Sequence, residues 1–138
     1  AGVTSDGSKA AFVVDTGNHR VLALGLQSSG PGNSTSAPIQ TSLQASLRSG
    51  GQIAHAFDNE HLLVGLPAAD VGSVARVEKL RITDLSLVGS AALTHEGQSA
   101  DMVQAIAIDA EHQVGFAAGP QGKVFKFGLS TMQITESM

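Results

Sequence analysis

Apolar and polar positions alternate along much of this chain with a period of two, and turn-forming residues interrupt the alternation roughly every eight to twelve residues. The pattern is cleanest near the end. MVQAIAID (102–109) alternates, AEH turns, QVGFAAG (113–119) is a short apolar run, and PQG turns again. KVFKFGL (123–129) alternates charge with aromatic, ST follows, and MQIT (132–135) alternates once more. These spacings predict four short strands joined by hairpins. Nowhere does an i, i+3, i+4, i+7 apolar stripe stand between helix caps. PIQTSLQASLRS (38–49) comes nearest, with Ile39, Leu43 and Leu47 spaced by four. It reads as a single helix or, preferably, as an outer strand with a polar face.

Laying the chain on itself shows that this unit recurs. TSDGSKAAFVVDTGNHRVLALGL (4–26) matches AIDAEHQVGFAAGPQGKVFKFGL (107–129) without a gap, placing Asp6 on Asp109 at a shift of 103. A middle copy lies between. AFDNEHLLVGL (56–66) falls on AIDAEHQVGFA (107–117) at a shift of 51, and KLRITDLSLVGS (79–90) falls on KFGLSTMQITES (126–137) at a shift of 47. The two shifts differ by four, so the middle copy carries an insertion within PAADVGSVARV (67–77), where loops absorb added residues.

Three repeats of roughly fifty residues, each a four-stranded meander, are the pattern of β-propeller blades. The expected fold class is therefore all-β, with blade one over 1–47, blade two over 48–95 and blade three over 96–138. Small residues (Ala54, Ala56, Ala105, Ala107) mark the first strands, as crowding near a central axis requires. Neighbouring blades are expected to bury the faces carrying Phe12, Val64, Phe116, Phe125 and Phe127, at roughly 25 cal/mol per Å2 of apolar area. Three blades cannot close a ring and would leave exposed sheet edges. The segment is thus expected to belong to a longer chain or a larger propeller, or to assemble with other copies.

Composition narrows the partners more than the activity. The 138 residues have a net charge of −4 with no basic stripe, so nucleic-acid binding lacks its electrostatic footprint. The apolar runs are too short for a membrane span. The chain has no cysteine, which removes disulfides, thiol catalysis and thiolate metal sites. Sixteen glycines with only four prolines fit many tight turns. A start at Ala1, with no charged opening before an apolar segment, suggests a removed leader or a piece of something longer.

VVDTGNHRVLAL (13–24) resembles the NHL-repeat blade, whose second and third strands are linked by an Asp-x-x-Asn-x-Arg-(Ile/Val) hairpin. The matching positions are Asp15, Asn18, Arg20 and Val21. Blade three keeps Lys123 for the arginine but has Ala118 and Gln121 for the aspartate and asparagine, and blade two departs further. KLRITDLSLVGS and KVFKFGLSTMQI look more like the third-to-fourth-strand turn of YVTN-type surface propellers. The resemblance implies a propeller and a tendency towards binding roles. Such propellers also include lyases and metal-dependent lactonases, so the likeness does not fix a function.

The candidate chemistry is thin. Asp15, Gly17, Asn18 and Arg20 read as a structural turn: Asp15 accepts N–H bonds, Gly17 supplies a positive φ, Asn18 tolerates the left-handed region and Arg20 pairs with Asp15. His61 and His112 follow DNE and DAE at equivalent places, so Asp58, Glu60, His61, Asp109, Glu111 and His112 either ring a metal or, preferably, form two solvated turns. His55 and Gln104 are the polar residues on apolar first strands and are the candidates for lining a channel. No G-x-S-x-G elbow, H-E-x-x-H, EF-hand or phosphate loop is present, and HEGQ (95–98) lacks the second histidine of a zinc motif. The Ser/Gly/Pro loop QSSGPGNSTSAP (27–38) holds a glycosylation acceptor at Asn33.

These readings favour a non-catalytic binding or structural module of a larger, extracellular or cell-surface protein. Its partners would be proteins or glycans, and no cofactor is implied. One alternative is part of an NHL-like lyase or lactonase with a metal in the channel near His55 and Gln104. Another is a repeat subunit of a surface filament.

Overall fold

The computed structural model describes residues 2–3, 9–26, 40–47 and 50–138. Three four-stranded antiparallel sheets dominate it, each a meander whose strands follow in chain order. The first holds β1 (Gly2–Val3), β2 (Lys9–Asp15), β3 (Arg20–Leu26) and β4 (Gln40–Ser46). The second holds β5 (Ile53–Ala56), β6 (His61–Leu66), β7 (Arg76–Arg81) and β8 (Leu87–Ala92). A two-stranded hairpin, β9 (Thr94–His95) with β10 (Gln98–Ser99), leads into the third: β11 (Ala105–Asp109), β12 (Val114–Ala118), β13 (Val124–Gly128) and β14 (Ile134–Ser137). The sheets are propeller blades. Gln40–Ser46 is a strand, so the ambiguous stretch 38–49 forms no helix over those residues; the Ser/Gly/Pro loop with Asn33 lies outside the described residues.

Hydrogen-bond register refines the repeat. β7 and β8 superpose on β13 and β14 at a shift of 47, including a bulge between Lys79 and Leu80 that recurs between Lys126 and Phe127. Val64 pairs with Glu78, and Ala117 pairs with Phe125, so β6 maps to β12 at a shift of 53 rather than 51. Ala54 pairs with Val64 and Ile106 with Ala117, so β5 maps to β11 at 52. The loop after β6 therefore carries six extra residues by ladder register, two more than the sequence match indicates. It lies where expected, with residues 67–75 doing what 16–19 and 120–122 do in the other blades.

Each blade packs on the next through alternate faces. Val21 and Leu47 of blade one, with Phe12 and Val14 against them, meet Leu62, Val64, Leu66, Leu80 and Ile82 of blade two. The opposite face of blade two, carrying Leu63, Val77 and Ala91, meets Val103, Ile106, Ala117, Phe125 and Phe127. Because both faces are covered, strands such as HLLVGL bury nearly every residue rather than alternate. Close approach demands small residues at these seams. A Cβ on Gly65 would stand 2.8 Å from Val103 Cβ, and one on Gly51 would collide with Val14. Of the five apolar positions expected at seams, Val64, Phe125 and Phe127 are buried and Phe12 packs against the first seam. Phe116 is only half-buried, on the far side of blade three.

Polar groups fasten the second seam. Lys79 is 6% exposed, and its Nζ donates to the Leu129 carbonyl 2.7 Å away in blade three. Gln52 Oε1 accepts the Val103 N–H at 2.8 Å. A polar seam contact survives burial only when hydrogen-bonded, and no buried side-chain polar atom among the described residues lacks a partner.

Candidate functional site

The blade-one turn is a closed unit. Asp15 Oδ2 accepts from Asn18 Nδ2 at 2.8 Å and from Arg20 Nε at 2.7 Å. The Asn18 amide and then the Arg20 guanidinium hold the Asp15 carboxyl below its ordinary pKa. The backbone differs from expectation. Thr16–Asn18 form a single 3-10 turn, and the left-handed residue is His19 (φ 50°), not Gly17 or Asn18. Arg20 is paired with Asp15 in the strand ladder, so one carboxylate closes the turn and secures the first rung after it. Thr16 adds a seam contact, its Oγ1 donating to the Gly51 carbonyl at 2.6 Å.

The two D-x-E-H turns are built alike. In blade two, Asp58 Oδ1 accepts the N–H groups of Glu60 (2.7 Å) and His61 (2.5 Å), while Oδ2 lies 3.0 Å from His61 Nδ1. In blade three, Asp109 Oδ1 accepts the His112 N–H at 3.1 Å and Oδ2 lies 2.7 Å from His112 Nδ1. Burial is the largest influence on Asp58 and raises its pKa, yet the His61 side chain and the two N–H groups outweigh it and leave the carboxyl lowered. At Asp109 the His112 N–H, then its imidazole, lower the carboxyl. Each histidine serves its own turn, and His61 also stacks on Phe57 at 5.7 Å between ring centroids. No group of three or more metal-ligating side chains comes together among the described residues.

His55 and Gln104 occupy different settings. His55 sits in β5, half-buried on the face it shares with Ile53, and its Nδ1 donates to the Ala56 carbonyl at 3.0 Å. A carbonyl only accepts, so Nδ1 carries the proton and Nε2 is the ring nitrogen left to accept. Gln104 stands just before β11 with an exposed side chain, its N–H donating to the Ala118 carbonyl. By ladder register it is the counterpart of Gln52, the residue that clasps blade two to blade three. The pattern of the sequence does not reveal Gln52 and Lys79 as seam residues. Their shared repeat positions with Gln104 and Lys126 are the signal that could have found them.

A rim concavity lies where the residues after β9–β10 meet the Pro120–Gly122 turn of blade three. A cleft of about 410 Å3 is lined by Ser99, Ala100, Asp101, Met102, Pro120, Gln121 and Lys123. Lys123 Nζ donates to the Ser99 carbonyl at 2.8 Å, tying the third blade's Pro120–Gly122 turn to the hairpin that precedes it. The exposed Met102, with Ala100 and Pro120, supplies apolar surface in a cleft that Asp101, Gln121 and Lys123 also line.

Four-stranded meanders seated face to face place this chain in the propeller-like class of all-β folds. Among solved structures it is similar to the crystal structure of Myxococcus xanthus glutaminyl cyclase, with a TM-score of 0.57 and 14% identity over 99% of this chain and 50% of that chain. At that identity the likeness is one of fold alone, and this chain spans half the length of the other. No protein-family model matches the sequence, and no curated protein does.

Proposed function

We propose that this chain is a non-catalytic, NHL-like propeller segment of a larger extracellular or cell-surface protein, and that it binds a protein or glycan partner at its rim. The observation that carries the reading is the cleft lined by residues 99–102, Pro120, Gln121 and Lys123, in which polar and charged residues stand beside Met102, Ala100 and Pro120. Hydroxyl, carboxylate, amide and ammonium groups around an apolar patch suit a hydrogen-bonding ligand with one apolar face, as a sugar or a peptide offers. The titratable turns supply rigidity: Asp15, Asp58 and Asp109 spend their oxygens on their own hairpins. The closed Asp15–Asn18–Arg20 unit supports the NHL likeness in blade one.

The test is a glycan and peptide array probed with the wild-type chain and with Asp101→Asn and Lys123→Ala variants. A ligand retained by the wild type and lost by both variants supports the proposal. A ligand whose binding ignores both substitutions, or turnover of a substrate that disappears with His55→Ala, contradicts it.

A further inference from the structure

The register equivalences show that the two ends of this blade array carry the two halves of one interface. Blade two meets blade three through Leu63, Gly65, Val77 and Lys79. Their counterparts in blade three are Phe116, Ala118, Val124 and Lys126, and these stand half-buried on its outer face. A shallow cavity of about 100 Å3 lies there, bounded by Phe116, Val124, Lys126, Glu136 and Met138, with Met138 79% exposed. At the other end, Leu22 and Leu24 of β3 correspond to Phe125 and Phe127 at the shift of 103. The ladder places Ala11 and Val13 of β2 on the positions of Gly115 and Ala117. That is the face which, in blade three, receives blade two. Here Val13 is 41% exposed.

We propose that the outer face of blade three docks on the outer face of blade one of a second copy of this chain, head to tail. The seam between blades two and three is the template. Lys126 takes the part of Lys79, exchanging its present 2.9 Å pairing with Glu136 for the Leu26 carbonyl of the second copy, the counterpart of the Leu129 carbonyl. Phe116 and Val124 cover Val13, Leu22 and Leu24 as Leu63 and Val77 cover Ala117, Phe125 and Phe127. Glu136 occupies the place of Gly89, against which Met132 packs, so it narrows the seat and tempers the affinity. The two faces differ, so the contact is heterologous and a copy can both give and receive it. This docking is independent of what the rim cleft binds.

Sedimentation velocity across a concentration series, with mixing of variants, tests the proposal. The wild-type chain self-associates, and Phe116→Asp or Val13→Asp alone each weakens association at least about tenfold, the effect of 1.4 kcal/mol. Mixed together, these two variants form a heterodimer, because each retains the face the other has lost. Glu136→Gly tightens wild-type association. Should Phe116→Asp fail to fold, as judged by circular dichroism, Lys126→Asp on the same face replaces it. A wild-type chain that stays monomeric throughout, a mixture that yields no heterodimer, or a single variant that self-associates unchanged overturns the proposal.

Discussion

Replacing Gly115 with alanine tests the packing of the third blade at a single atom. Gly115 stands opposite Phe127 in the β12–β13 ladder, and the far end of the ring lies over the position where a side chain would begin. A Cβ there would sit 2.4 Å from Phe127 Cζ and 2.6 Å from Cε2, whereas carbon atoms rest roughly 3.5–4.0 Å apart. The ring must therefore retreat by about 1 Å. It has nowhere to go, since Phe127 is fully buried in the cluster with Ile106, Ala117 and Leu129. Overpacking of this kind costs roughly 1–3 kcal/mol. With a urea dependence of about 1–3 kcal/mol per molar, the midpoint falls by on the order of 1 M. Phe127→Leu removes the offending ring atoms, so the double variant is less destabilised than the two single losses together, by about 0.5 kcal/mol or more. A Gly115→Ala midpoint equal to the wild type, or strict additivity in the cycle, refutes the ring-over-glycine geometry.

The two repeat-equivalent lysines give opposite results in the isolated chain. Lys79→Met strands the buried Leu129 carbonyl and costs about 1–3 kcal/mol, whereas Lys126→Met at low protein concentration stays within about 0.5 kcal/mol, both read by urea denaturation. Asp109 titrates below its ordinary value of 3.8, so its contribution to stability is complete above that value and is lost as pH falls through the lower folded-state pKa. Carbon-13 NMR titration checks this: His112→Ala keeps the N–H but removes the imidazole, and moves the Asp109 pKa only partway back up.

The meander and its period were legible because hairpin turns punctuate short β-prone runs, and turn chemistry is local. The extra residues after β6 were legible for the same reason, as a mismatch confined to one loop. Register was harder. Runs such as QVGFAAG and HLLVGL contain small apolar residues that match one another at several offsets, so the D-x-E-H turn aligned at 51 while the strands beside it lie at 52 and 53. Lys79 is not legible in the same way, because a charged residue in an alternating strand ordinarily faces water. A blade packed on both faces has no solvent side near its centre, and a carbonyl from the next blade takes water's place. The left-handed residue of the first turn also escapes a propensity reading, since His19 adopts that conformation two residues after a glycine better suited to it.

Whether blades two and three are seated face to face is read from nuclear Overhauser contacts across the seam between them. Cross-peaks are expected from the Val103 amide proton to the Gln52 side chain and from Met132 to the Gly89 α-protons, alongside the ladder contacts within each sheet. Ladder contacts within each sheet, with no cross-peak between the two sheets, would contradict the face-to-face blade array on which the rim cleft and the docking faces depend.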